Sequence, residues 1–208
     1  MPSFCGVILA AGESSRMGRD KALLAWPVGA TGGSTFLSGM IDLLQAPSEM
    51  VIVVAGKNAD SLRPTVYASA GYLVANRHPE RGQFSSLQLG LQEVLNRGRD
   101  AAIVALVDRP PAQPGTLKRL CDAFGDAYDS GKWAVVPEFG GRHGHPILIG
   151  REMIEAFLRA PVTSNAREIE HPLADHILYV PVDDPNVVAN VNTPEDYERL
   201  PKAQVRTP

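Results

Sequence analysis

Cysteine is scarce: Cys5 and Cys121 are the two in 208 residues, far apart and in no C-x-x-C pair. Neither a disulfide framework nor a cysteine metal site follows from that spacing, and both residues are expected as buried free thiols. Long apolar runs are missing as well. No stretch approaches the roughly 20 residues needed to span a bilayer, and no basic segment followed by a signal-type apolar core opens the chain. A cytoplasmic protein is therefore expected. Nor is there an excess of one charge: 20 Lys+Arg against 23 Asp+Glu leave a net charge of −3. That balance excludes a nucleic-acid coat and a polybasic membrane binder, and leaves a locally held small molecule as the partner.

Three familiar site signatures are absent. The dinucleotide fingerprint G-x-G-x-x-G fails because Ser14 stands where its second glycine belongs. The Walker pattern fails because Gly18 is followed by Arg19 and Asp20 before Lys21. No G-x-S-x-G elbow accompanies Ser14 or Ser15, so neither serine is read as a nucleophile.

What is present is an ordinary globular composition, 44% hydrophobic and 21% charged, with no repeat or low-complexity tract. It suits one α/β domain over residues 1–200, followed by a fraying tail at 201–208. The chain is organised around Gly6 to Trp26, GVILAAGESSRMGRDKALLAW. Val7, Ile8 and Leu9 read as a central parallel strand covered on both faces, and Gly12 ends it. Between Gly12 and Gly18, backbone N–H groups, the hydroxyls of Ser14 and Ser15 and the Arg16 guanidinium can converge on phosphate oxygens beyond the strand's carboxyl end. Lys21 adds a flexible point charge to the planar fork of Arg16. The stretch reads as a triphosphate grip.

Further along, a helix is expected from Ser34 or Thr35 to Pro47, a strand over Met50 to Ala55, and a helix over Ala59 to Ser69 interrupted near Pro64. Tyr72 to Ala75 reads as a strand. A helix capped by Ser85 follows, its apolar face running through Leu87, Leu91, Val94 and Leu95. Ala101 to Val107 is a strongly apolar strand ending at Asp108, where open α/β sheets bind ligands. Then come a helix (Thr116 to Asp129), a strand (Trp133 to Val136), a turn-rich flap (Glu138 to Gly144), a strand (Pro146 to Ile149) and a helix (Met153 to Leu158). A short helix over Ser164 to Glu170, strands over Ile177 to Val182 and Val187 to Val191, and a helix capped by Thr193 with Pro194 in its first turn complete the chain. Asp183 and Asp184 read as a solvated turn. The alternation predicts a three-layer α/β/α fold of Rossmann-like type with a mostly parallel sheet. Asp108 can hold a hard divalent cation, and the amide oxygens of Asn190 and Asn192 either complete that site or serve the turn.

The grip matches L-A-[AG]-G-x-[SG]-x-R-M-G-x-x-K at every defined position. Together with GQFSSLQLGL, VDRP, GRHGHP and NVNTPEDY, in that order, it resembles the molybdenum cofactor nucleotidyltransferase family of the NTP transferase superfamily. The resemblance implies a magnesium-dependent enzyme that moves a nucleotide from a nucleoside triphosphate to a phosphate-bearing acceptor such as molybdopterin and releases pyrophosphate. It implies a nucleotide site of Leu9, Ala10, Ala11, Gly12, Ser14, Ser15, Arg16 and Lys21, with Gly82 and Ser86 at the nucleoside. Arg16, Lys21 and Asp108 become the catalytic group, and Asp108 with Asn190 or Asn192 the magnesium site. His145 in GHP either contacts the acceptor or orders the flap. LAAG, with Ala11, resembles the cytidylyltransferase branch and favours CTP, whereas NVNTPED resembles the guanylyl branch and GTP. Val107 departs from the frequent G-D-x-P. A sugar-phosphate or polyol-phosphate acceptor is the alternative within the same reaction, and a non-catalytic nucleotide-binding or chaperone-like module is the alternative of another class. A molybdoenzyme or chaperone is the implied protein partner.

Overall fold

In a computed structural model, residues 3–14, 17–29 and 33–202 are described. Ser15 and Arg16 of the expected grip, and 203–208 of the expected tail, lie outside the described residues.

Strand β1 (Phe4–Ala10) is buried at every position, as its unbroken apolar composition requires. It pairs in parallel with β2 (Ser48–Ala55) on one side and β4 (Ala101–Leu106) on the other. Beyond β2 lies β3 (Tyr72–Ala75), also parallel. On the far side β7 (Ile147–Gly150) runs antiparallel to β4 and to β5 (Ala134–Phe139). β5 also pairs with the two-residue β6 (Arg142–His143) and, in parallel, with β8 (Ile177–Pro181). The eight strands thus form one mostly parallel sheet in the order β3-β2-β1-β4-β7-β5, with β6 and β8 both on β5.

Period-2 alternation in the strands sorts the core into two faces. Ile8, Val53 and Ile103 face α1 (Phe36–Gln45), α2 (Ala59–Ala68) and α4 (Pro114–Tyr128). Val7, Val54 and Val104 face α3 (Gln83–Asn96) and α5 (Arg151–Arg159), with α6 (Ala166–Glu170) packed at the margin. The three-layer α/β/α fold is as expected. Fully buried Ile, Leu and Phe side chains such as Ile8, Leu37 and Phe157 each contribute about 1.5–3 kcal/mol relative to exposure.

Several local expectations are corrected. α2 runs through Pro64 without interruption. Ser85 does not cap α3: the helix begins at Gln83, behind Gly82, and the Ser85 hydroxyl donates back to the Gly82 carbonyl at 2.7 Å. Val187 to Val191 is not a strand. A 3-10 turn at Pro185–Val187 carries the chain there, and Val187 and Val188 are buried against Ala112. Their apolarity serves a satellite core under a loop. Asp184 is fully buried, its two carboxylate oxygens accepting from the backbone N–H of Gln113 at 2.7 Å and of Asn186 at 3.1 Å. It ties this loop to the start of α4. Cys5 is buried and Cys121 half-buried, both free, and burial raises both thiols, Cys121 to about 11. Pro201 and Lys202 are held against Val28, through Val28 N–H to the Pro201 carbonyl at 3.3 Å and a bridge to Lys202.

Candidate active site

The site lies at the carboxyl ends of the parallel strands. β1 delivers Leu9 and Ala10, both buried, then half-buried Ala11 and exposed Gly12. Ser14 accepts, at its hydroxyl, the backbone N–H of Lys21 at 3.1 Å, which closes the loop on itself. Asp20 opens a 3-10 turn over Lys21–Leu23 by accepting the Ala22 N–H at 3.0 Å. The Lys21 ammonium donates to Asn192 Oδ1 at 3.0 Å, joining residues 171 apart in sequence.

Asn192 is placed by the segment that follows it. Thr193 caps α7 (Pro194–Glu198) in a reciprocal capping box with Asp196. Asp196 accepts the backbone N–H of both Asn192 and Thr193 at 3.0 Å, and the first of these bonds does most to hold its carboxyl below the usual range. Tyr197 locks the helix onto the grip: it packs with Met17, Leu24, Phe36 and Val191, and its hydroxyl donates to the Ala25 carbonyl at 2.8 Å. The tyrosine of NVNTPEDY is therefore a structural anchor for the amides.

Asp108 follows β4, and its carbonyl accepts the Val191 N–H at 2.8 Å, which brings the acid beside Asn190 and Asn192. Its Oδ1 is buried with no hydrogen-bond partner. A buried carboxylate oxygen is costly to leave unpaired, and such an orphan is what an absent cation would satisfy. Among the described residues no three His, Cys, Asp or Glu side chains gather as a metal cage. One carboxylate plus amide oxygens suits magnesium, which keeps waters and takes its remaining ligands from phosphates. Asn192 is half-buried; Asn190 is exposed.

Gly82 sits at φ 91°, a left-handed conformation that turns the chain into α3. Ser86 is only 2% exposed, and its hydroxyl accepts from Asn76 Nδ2 at 2.9 Å. Asn76 also donates to Ser85 at 3.0 Å and accepts the His78 N–H at 2.9 Å, so Ser86 belongs to a buried network that shapes the loop after β3. His145 donates its backbone N–H to the Val187 carbonyl at 2.9 Å, while its Nδ1 is buried without a partner. Burial, reinforced by the Arg109 charge, pushes this ring down to about 3, so it is neutral at physiological pH and offers an acceptor no positive charge. Arg109 Nη1 donates to that same Val187 carbonyl at 3.0 Å.

One positioning residue escaped the sequence reading. Asn58, after β2, donates to the Ala10 carbonyl at 2.9 Å and to Asp20 Oδ2 at 2.6 Å, and accepts the Gly56 N–H at 3.0 Å. It clamps both ends of the grip. An Asn after a strand-end glycine was the available signal, and it also fits an ordinary turn. Asn58→Ala should raise the KM for nucleoside triphosphate about tenfold, since losing a buried hydrogen-bonding partner costs on the order of 1–3 kcal/mol. Nucleotide titration of the variant beside a thermal melt checks this; an unchanged KM would reduce Asn58 to a turn residue.

Beside these residues opens a cleft of about 1210 Å³, walled by Leu9 and Leu106 at the strand ends, Gly82 to Phe84, the flap from Arg142 to His145, and α6 with Arg167 and Glu170. Residues 6–177 match the family described as the MobA-like NTP transferase domain. The chain belongs to that family. It is 30% identical to a molybdenum cofactor guanylyltransferase of Xanthomonas euvesicatoria over 205 residues, covering 94% of this chain and 93% of that one. It is 24% identical to the molybdenum cofactor cytidylyltransferase of Escherichia coli K12, covering 92% of each. Two crystal structures of Rv0371c from Mycobacterium tuberculosis H37Rv, one a complex with manganese, superpose with TM-scores of 0.75 and 0.70 at 25% identity, covering 95% of this chain and 97% of theirs. This member of the MobA-like family is thus a nucleotidyltransferase in fold and sequence, and the alignments run through the grip, Asp108 and most of the flap and cleft.

Proposed function

We propose that this chain transfers a nucleoside monophosphate from a nucleoside triphosphate, CTP in preference, to a phosphate-bearing pterin in molybdenum cofactor biosynthesis, with magnesium as its metal. The carrying observation is that the Lys21 ammonium bonds the Asn192 amide oxygen while Asp108, with its orphaned Oδ1, is tied through its backbone to the neighbouring Val191, and Arg109, next to Asp108, lines the arginine-rich cleft. A role in making the molybdenum cofactor is supported by the names of the relatives, and a divalent ion by the manganese complex of the Mycobacterium tuberculosis protein.

In this reading an oxygen of the acceptor phosphate attacks the α-phosphorus, the bond from that phosphorus to the bridging oxygen breaks, and pyrophosphate leaves with the electron pair. An ionised phosphate needs no general base, which agrees with a neutral, buried His145. Asp108, with Asn190 or Asn192, would hold the magnesium, which when bound neutralises phosphate charge. Lys21, joined on the expectation from sequence by Arg16, compensates charge on the transferring group and the departing pyrophosphate. The Asn192 oxygen that accepts from Lys21 is a proposed metal ligand, so the ammonium would leave it for the triphosphate as nucleotide binds. Leu9 to Gly12, Ser14 and Ser15 would cradle the phosphates by their backbone and hydroxyls, and Gly82 would meet the nucleoside with Ser86 shaping the loop behind it.

CTP rests on Ala11 in LAAG; GTP is the second reading, favoured by the guanylyltransferase relative and by NVNTPED. Thermal stabilisation by each of the four ribonucleoside triphosphates with magnesium, then pyrophosphate release with pterin-phosphate, sugar-phosphate and polyol-phosphate acceptors, tests both. A higher kcat/KM for CTP with the pterin is expected. A higher value for GTP would replace the base assignment, and nucleotide binding without release on any acceptor would support a non-catalytic module.

A further inference from the structure

The sheet order sets out the cleft from end to end. The nucleoside loop follows β3, the grip follows β1, Asp108 follows β4, and the far wall is built by β5, β6, β8 and α6. Of the described residues that line the cleft there, Arg142 and Arg167 are cations and Glu170 is the acid, while Glu138 on β5 lies 3.6 Å from His143 Nε2. Glu170 is the last residue of α6 and leads directly into a 3-10 helix over His171–His176. It is half-buried and makes no hydrogen bond or ion pair among the described residues. Burial raises its pKa, against the charges of Arg167 and His143. A carboxylate held against desolvation without a hydrogen-bond partner is poorly explained by folding alone.

Next to it lies a flat platform. His143 stacks on Tyr179 with ring centroids 3.9 Å apart and planes 14° apart, and the His143 side chain is still 52% exposed. Glu170, His143 and Tyr179 all line the same cleft, and burial together with the Glu170 charge raises the Tyr179 phenol. Such a grouping matches one ligand chemistry: a planar heterocycle that stacks on the exposed imidazole and presents adjacent N–H donors in its plane, with an anionic arm reaching back toward the arginines.

We propose that Glu170 selects the acceptor by accepting two hydrogen bonds from the amino and ring N–H groups of a 2-amino-4-oxopyrimidine edge, with the ring stacked on His143. This rests on the nucleotidyl-transfer reading for its kinetic consequence, not for the binding site itself. A sugar-phosphate or polyol-phosphate presents no such paired N–H edge. Guanine does, and Gly82 to Phe84 line the same cleft as Glu170, so the nucleotide KM is the readout that separates the two occupants.

Glu170→Gln keeps the volume and replaces one acceptor oxygen with an N–H donor. The acceptor KM with a pterin phosphate should rise at least tenfold, with the KM for CTP and GTP and the melting temperature unchanged. Direct titration of a phosphate-free pterin, 6-hydroxymethylpterin, into parent and variant gives a readout that needs no turnover, and its affinity should fall at least tenfold. Unchanged pterin affinity, or a rise confined to the nucleotide KM, would overturn the role of Glu170. If the parent transfers nothing to any acceptor, the proposed function fails while the pterin titration still decides the binding site.

Discussion

Asp108→Asn should lower kcat on the order of 100- to 1,000-fold at saturating magnesium, the loss typical of removing one group aimed at transition-state charge. The amide fills the same volume and can still offer one oxygen, but it carries no negative charge for a hard cation that takes few protein ligands. The fold should tolerate the change. Asp108 is fixed by its backbone, through its carbonyl and the Val191 N–H, whereas its buried Oδ1 bonds to nothing. The melting temperature should therefore move little while the magnesium dependence of turnover shifts to higher concentration. Turnover near that of the parent at low magnesium would remove Asp108 from the metal site.

The second large effect falls on a residue with no reactive group. A Cβ on Gly144 would lie 2.3 Å from the Val187 carbonyl oxygen, 2.7 Å from its carbon and 2.9 Å from the Val187 Cβ. Two of these are backbone atoms, so no rotamer change relieves the contact. Val187 is fully buried, and its carbonyl accepts from both His145 N–H and Arg109 Nη1. Pushing it away breaks bonds on the flap and beside Asp108 together. Gly144→Ala should cost about 3 kcal/mol or more, at the upper end of overpacking effects. At roughly 2–4 °C per kcal/mol for a chain of this size, that lowers the melting temperature by about 6–12 °C. The acceptor KM should rise more than the nucleotide KM, because the flap walls the side of the cleft proposed for the acceptor. A melt within about 1 °C of the parent would mean that the flap and Val187 separate freely.

Local chemistry decided what could be read from the sequence alone. The apolar runs of β1, β2 and β4, the helix start at Ser34 or Thr35 and the cap at Thr193 depend on neighbours in the chain, and they stand as expected. Lys21 and Asp108 could be proposed from sequence because a strand end followed by a polar residue is itself a local pattern. The Lys21 to Asn192 bond spans 171 positions and has no local trace beyond two asparagines that also suit a turn. Val187 and Val188 misled because burial under a loop and burial in a sheet select the same side chains. Asp184 misled for the converse reason: a short acidic turn is usually wet, and only the distant Gln113 N–H makes this one dry. Asn58 and Glu170 were invisible as site residues, since their roles arise where separate elements meet.

The position of β4 between β1 and β7 has a consequence for synthesis on the ribosome. β1 emerges first, and its partner β2 is complete by Ala55, but its other edge stays open until Ala101 to Leu106 have been made. At roughly 5–20 residues per second, an apolar strand with an unpaired edge persists for seconds in the nascent chain. A stalled or truncated product ending before β4 exposes that edge permanently, so such fragments should aggregate through β1, whereas a chain released after β8 carries the sheet partners that close it.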